Sequence, residues 1–327
     1  MSSQPYSFVV PAREIRSPAF LSPGAQAVLQ YASLGELPAY PRIDDRVAWH
    51  RLVRAADQAM QPMLQQLAGT ANVQAQVRMV GSVPVYDILP QDVGNDDPTV
   101  VLDLHGGGLI YCGGPLCEML GRGVATRLQR RVWAVDYRMP PDHPYPASLE
   151  DGMTVYRALL EERPAHRIVV HGASAGGNLA AALVLMIRDQ GLPLPAAVVL
   201  ATPEIDLTES GDSFQTNSGI DRLLASLMPV NLLYANGHDL GHPYLSPLFG
   251  DFRKGFPPTV LTTGTRDLFL SNTVRMHRAL RAANVEAELH VTEAGGHGGF
   301  PAGTPEGDAI DADVRRFIER HLATTRG

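Results

Sequence analysis

Two cysteines, Cys112 and Cys117, are all that 327 residues contain. So low a count excludes a disulfide framework, and with no histidine pair close by in sequence the two thiols do not read as a zinc site. No apolar run approaches the ~20 residues that a membrane span needs. Met1 to Val10 carry no basic stretch followed by an apolar one, so no signal peptide is expected. Excess positive charge is missing too. The formal net charge is -7, which argues against nucleic acid and against stable membrane association. Internal repeats and low-complexity tracts are absent. These absences leave the expectation of a soluble, cytoplasmic chain, and a hydrophobic fraction of 45% is enough for a sizeable core.

What is present alternates. Residues 1–40 are rich in Pro, Ser and Ala and show no strong period, with one short helix expected over 24–32. Val47, Leu52, Ala55, Ala59, Met63 and Leu67 fall near a 3.6-residue spacing and predict a helix over 44–67. Two alternating runs, 73–80 and 83–89, separated by Gly81-Ser82, predict a hairpin, and 95–98 reads as a turn. Strands are then expected at 99–104, 132–135, 167–170, 196–201, 259–263 and 287–291. Helices are expected near 117–130, 148–160, 176–189, 272–283 and 307–321. Repeated βα units predict a mostly parallel sheet covered on both faces, with ligands at the carboxyl ends of its strands. One connection breaks the rhythm. Nearly sixty residues separate Ala201 from Thr259, far more than a usual crossover needs. A polar stretch, 206–218, and a helix expected over 221–234 lie in it, so part of it reads as an insertion over the site.

The chemistry begins at Gly172-Ala173-Ser174-Ala175-Gly176, a G-x-S-x-G between a strand and a helix. That context places a serine hydroxyl on a sharp turn at the top of the sheet, next to the free N–H groups of a helix N-terminus. Only small residues tolerate such a turn. Serine needs a base, and in this type of sheet the partners follow in the order Ser, Asp or Glu, His. His297, in Gly295-Gly296-His297-Gly298-Gly299 just after the last strand, is where the base belongs. His277 and His321 fall in helical patterns and are expected to face solvent, His290 lies within a strand, and His238 and His242 fall in the insertion. Asp267, after the strand at 259–263, is placed to accept the Nδ1–H of His297. Asp189, Asp206, Asp221, Asp239 and Asp251 fit that position less well. His105-Gly106-Gly107-Gly108 follows another strand. Its glycines let backbone N–H groups approach a substrate oxygen, so Gly107, Gly108 and Ala175 are the expected oxyanion hole, with His105 structural. A phosphate loop would need the Lys and Ser or Thr that this run lacks.

Together these motifs resemble the hormone-sensitive-lipase family of α/β-hydrolases, the bacterial type IV esterases. Asp136-Tyr137-Arg138 with Pro141-Asp142-His143-Pro144-Tyr145-Pro146-Ala147, and Ile205-Asp206-Leu207-Thr208, match further family stretches over roughly residues 45–320. The resemblance implies an α/β-hydrolase fold: an eight-stranded, mostly parallel sheet with its second strand antiparallel, helices on both faces and a helical cap. It divides the chain into 1–70 (N-terminal part of the cap), 71–204 (first part of the catalytic domain), 205–245 (cap insertion) and 246–327 (second part of the catalytic domain). It also implies hydrolysis of short-chain carboxylic esters with no cofactor and no metal, a small-molecule ester as partner, and frequent homodimers. The same triad serves amidases, lactonases and thioesterases, and some proteins of this fold are ligand-binding receptors that have lost the histidine. The chain departs from the family at Ala173, where many members carry aspartate, and at Glu204, in Thr202-Pro203-Glu204, where an aromatic often follows the proline. Glu204 either faces the acyl pocket and makes it polar, disfavouring long acyl chains, or points to solvent or to an arginine. Tyr111 is a second candidate for lining the pocket.

Overall fold

The structure, a computed structural model, describes residues 7, 9–30, 39–94 and 97–323. Its strands are β1 (Val73–Val80), β2 (Val83–Pro90), β3 (Val100–Leu104), β4 (Arg131–Val135), β5 (Ile168–Ala173), β6 (Ala197–Ala201), β7 (Thr259–Gly264) and β8 (Ala287–Thr292). They form one eight-stranded sheet in the order β1-β2-β4-β3-β5-β6-β7-β8. Strand β2 is antiparallel to both its neighbours, and all pairs from β4 to β8 are parallel, as the resemblance implies.

The continuous apolar runs of β3 to β7 follow from burial on both faces. Leu102, Leu104, Val170, Val198, Leu200 and Leu261 point one way, into a core with α4 (Ala147–Glu162), α5 (Ala175–Asp189) and α8 (Leu270–Ala282). Val101, Val169, Val199 and Val260 point the other way, onto α3 (Pro115–Leu128) and α9 (Pro305–Ala323). A strand's side chains alternate between faces, so each strand serves both layers at once. Apart from the helix expected over 221–234, the expected helices and strands fall within about three residues of those observed.

At the carboxyl ends of the strands a third layer sits over the sheet. The amphipathic helix α2 (Arg46–Gly69), capped by the Asp45 carboxylate on the Ala48 N–H, comes from the N-terminal region. Two short helices, α6 (Ser213–Thr216) and α7 (Met228–Ala235), come from the long connection between β6 and β7. Trp49 of α2 packs with Leu227, Val230 and Leu233 of that connection and with Ile110, Leu268 and Phe269 from the sheet loops. The helix expected over 221–234 is therefore shorter and begins only at Met228. The Asp221 side chain accepts the N–H groups of Leu223 and Leu224, an alternative to helical bonding that aspartate readily offers. Pro229 then fits the first turn of α7. Near the N-terminus α1 spans Pro23–Gln30. Positions 31–32 of the expected helix and 95–96 of the expected turn lie outside the described residues.

Candidate active site

Ser174 stands between β5 and α5, as the cap residue of the helix, with φ 56° and ψ −124°, a strained conformation for a residue with a side chain. Close approach of three chain segments imposes it. A Cβ on Gly176 would stand 1.9 Å from the carbonyl oxygen of Leu104, and one on Gly172 would stand 2.1 Å from that of Gly176. The glycines of G-x-S-x-G are thus required by the packing of β3, β5 and α5.

Ser174, His297 and Asp267 come together from three strand ends. His297 Nε2 lies 2.8 Å from Ser174 Oγ, and His297 Nδ1 lies 3.2 Å from Asp267 Oδ1. Asp267 is fully buried, and its carboxylate also accepts the Phe269 N–H at 2.9 Å and the Thr263 hydroxyl at 2.7 Å. The loops after β7 and β8 are locked together. Arg266 N–H donates to the Gly295 carbonyl at 2.9 Å, and Ala294 N–H to the Thr265 hydroxyl at 2.8 Å. Phe269 meets the His297 ring edge-on with centroids 5.0 Å apart.

The glycine loop after β3 turns beside the nucleophile. Gly107 has φ 123° and carries a carbonyl that accepts from the N–H groups of Ile110 and Tyr111. A side chain there would strike the Tyr111 carbonyl at 2.4 Å. The Tyr111 ring packs beside Gly108, where Leu227 also reaches. Behind this loop His105 stacks on Tyr137, whose hydroxyl donates to the His105 carbonyl at 2.7 Å. Arg138 forks onto the buried Asp151, and Asp136 accepts the Gly114 N–H, so the Asp136-Tyr137-Arg138 stretch braces the loop.

Sequence distance hid one grouping. His105, Cys117 and Asp136 bring ligand-type atoms within 4.8 Å of one another. Burial holds the Cys117 thiol well above its ordinary range and lowers His105. A protonated thiol is the opposite of what a metal ligand requires. Both cysteines are free and buried, and burial, then the nearby Asp57, pushes Cys112 up to about 12.

Glu204 neither reaches solvent nor meets an arginine. It is fully buried, with the Asn231 side chain against its carboxyl. Burial, and then its acidic neighbours Glu209 and Asp206, pushes its carboxyl up to about 8 against the opposing pull of the nearby Asn231 amide. Of the other histidines, His238 bonds the Ala235 carbonyl, and His290 sits between Glu288 and Asp313. His321 is not solvent-facing as its helical pattern suggested. It packs on Phe317 with ring centroids 4.5 Å apart.

Sequence reasoning passed over one residue. Asp221, nearly fully buried, accepts backbone N–H groups from His297, Leu268, Leu223 and Leu224. Its position in a long connection gave no local signal beyond an aspartate two residues before an N–H it could accept.

Residues 101–301 match a family model described as the alpha/beta hydrolase fold. The chain is 36% identical over 199 residues to an acetyl-hydrolase of Streptomyces hygroscopicus, a match covering 60% of this chain and 65% of that protein, just under two thirds of its length. The solved structure of an esterase, E25, superposes with a TM-score of 0.89 at 34% identity, covering 97% of this chain and 99% of the other. An esterase from the bacterial hormone-sensitive lipase family superposes with a TM-score of 0.76 at 30% identity, covering 88% and 94%.

Proposed function

Given that the chain belongs to the α/β-hydrolase family and is of the bacterial hormone-sensitive-lipase type, we propose that it is a serine carboxylesterase acting on short-chain esters. The observation that carries the reading is the unbroken hydrogen-bonded series from Ser174 Oγ through both nitrogens of His297 to Asp267, at 2.8 and 3.2 Å. In the proposed mechanism Ser174 Oγ attacks the ester carbonyl carbon while His297 Nε2 takes its proton. Asp267 holds the ring by Nδ1–H and stabilises the imidazolium. The negative charge on the tetrahedral oxygen is met by the N–H groups of Gly107, Gly108 and Ala175. His297 then protonates the leaving alcohol, and water activated by the same nitrogen releases the acid. No step calls on a metal or cofactor.

In this reading α2 and the connection between β6 and β7 act as a cap, the role expected of 1–70 and 205–245, that shapes the pocket and excludes water. Tyr111 lines the pocket in this reading, and Glu204, which is fully buried, lends its acyl end a polar wall that favours short acyl groups over long apolar ones. No described helix is long and apolar enough to cross a membrane, and a small dissolved ester is the proposed substrate. The leaving group separates an esterase from an amidase, lactonase or thioesterase, and the motifs do not encode it.

The test is turnover of p-nitrophenyl esters of increasing acyl length by wild type and Ser174→Ala in parallel. Hydrolysis of short esters that disappears in the variant is the expected result. Equal rates in the two proteins would remove Ser174 from the mechanism. A folded wild type inert on every ester would move the assignment to an amide or thioester.

A further inference from the structure

We propose that Asp57 of α2 is a positioning residue for the oxyanion hole: it holds the peptide plane between Tyr111 and Cys112 against Gly107 and so ties the overlying layer to catalysis. The inference rests on the esterase reading above and adds to it a residue that touches neither substrate nor nucleophile.

The sequence of α2 sets Asp57 apart. Trp49, Val53, Asp57, Met60 and Leu64 recur at spacings of three and four, which puts them on one stripe of the helix. Trp49 and Leu64 are buried, and Val53 and Met60 pack against the same apolar clusters. A carboxylate on such a stripe is costly unless something donates to it. Here the donor is a backbone group: Asp57 Oδ1 accepts the Cys112 N–H at 2.9 Å. Burial raises the Asp57 carboxyl, and the Cys112 N–H and then His105 oppose that rise.

That N–H belongs to the same planar peptide as the Tyr111 carbonyl, and this carbonyl backs Gly107. A Cβ on Gly107 would stand 2.4 Å from its oxygen. In return the Gly107 carbonyl accepts the N–H groups of Ile110 and Tyr111 at 3.1 and 2.9 Å, and the Tyr111 ring lies beside Gly108. Tyr111 thus supports both glycines of the proposed hole, one with its carbonyl and one with its ring. The turn is not one the chain would hold unaided. Leu109 and Cys112 are buried with φ of 66° and 74°, in the left-handed region that residues other than glycine rarely adopt. Such backbone persists only where its surroundings over-determine it. The Gly114 N–H on Asp136 fixes the far end of the turn, and Cys112 and Leu116 pack with Leu64 of α2. Asp57 supplies the bond that sets which way the Tyr111–Cys112 peptide faces. Rotation of that plane would carry the Tyr111 carbonyl away from Gly107.

The experiment measures hydrolysis of p-nitrophenyl butyrate, and phosphonylation by a p-nitrophenyl alkylphosphonate, for wild type, Asp57→Asn and Asp57→Ala. Ser174→Ala is run alongside, and a melting curve is taken for each protein. In the second reaction Ser174 Oγ displaces p-nitrophenolate from phosphorus, and the phosphoryl oxygen takes the place of the oxyanion. Its rate therefore reads the hole whichever acyl substrate is the natural one. Asp57→Ala is expected to lower kcat and the phosphonylation rate by about tenfold or more, with a smaller change in KM. Loss of a whole oxyanion donor costs about 10²–10³, and misalignment costs less. Asp57→Asn, whose amide oxygen accepts the same N–H, should stay within about threefold of wild type. A folded Asp57→Ala with both rates intact would overturn the proposal even if it melted lower, because the bond would then serve the fold alone. Asparagine losing as much as alanine would also overturn it, because the bond to Cys112 would not be what matters. Should alanine not fold, Asp57→Leu, which removes the acceptor and completes the apolar stripe, is read in its place by the same criteria. Failure of the esterase reading looks different. Wild type inert to both reagents, or Ser174→Ala as reactive as wild type, removes the hole and the role of Asp57 with it.

Discussion

The Asp221 carboxylate holds the backbone of His297. Its Oδ2 accepts the His297 N–H at 3.1 Å and the Leu268 N–H at 2.8 Å, while Oδ1 accepts from Leu223 and Leu224 at 2.9 and 3.1 Å. One side chain from the β6–β7 connection thus joins the loop of the proposed base to the loop of the proposed acid. Glycines flank His297 on both sides, so its loop has little of its own to fix it.

Asp221→Asn follows directly as a test of positioning. An amide nitrogen cannot accept, so the variant gives up two of the four bonds whichever way it turns. The expected result is a fall in kcat of about ten- to a hundredfold, consistent with roughly 1.5–3 kcal/mol for a bond to a charged group. KM should stay within about twofold, because substrate contacts are untouched. A loss confined to thermal stability, with kcat intact, would show that the clamp holds the fold and not the base.

Asp267→Asn should be milder than Asp267→Ala. The Thr263 hydroxyl, now donating at 2.7 Å, can equally accept from an amide. The asparagine side chain can therefore keep its oxygen on His297 Nδ1–H and lose only the charge that stabilises the imidazolium. A fall in kcat of less than about 10⁴, the loss that follows when an asparagine enforces the wrong tautomer, is expected for asparagine and a larger one for alanine, which also leaves Nδ1 unpaired. Equal losses would argue that the amide turns the wrong way.

Gly176→Ala should fail to give folded protein, or should lower Tm by at least about ten degrees. The added methyl would lie 1.9 Å from the Leu104 oxygen and 2.5 Å from that of His105, backbone atoms at the end of a central strand that cannot give way. Soluble expression with an unchanged melting curve would contradict this packing.

Glu204 makes stability depend on pH. Its carboxyl titrates near 4.5 when unfolded and about 8 when folded, raised first by burial and then by Glu209 and Asp206, with Asn231 and Tyr40 also facing it. Between those values the folded state keeps a proton that the unfolded state releases. Its contribution to stability is therefore fully present below about pH 4.5 and is lost as pH rises through about 8. Linkage puts the loss on the order of 3–5 kcal/mol. Glu204→Gln has no proton to lose, so denaturant titrations should show it close to wild type at about pH 5 and clearly more stable at about pH 8.5. A constant difference between the two proteins across that range would place a charged Glu204 in the fold.

Local sequence was enough for the sheet and the candidate triad, because both are written in short range. Alternating apolar runs and helical spacings report burial locally. Ser174, Gly107 and Gly176 occupy turns that only certain residues can make, and His297 and Asp267 each follow a strand, where topology puts the reacting groups. The helix expected over 221–234 begins only at Met228, because apolar spacing does not reveal that the Asp221 carboxylate is drawn away to four backbone N–H groups. What lies between distant segments was settled only when the layers packed. His105, Cys117 and Asp136 meet because β3, α3 and β4 lie side by side. Glu204 is buried with Asn231 of α7 against it, while Arg275 pairs with Asp206. Hydrogen bonds and burial between residues far apart in the chain depend on how the layers stack, and no local pattern carries that information.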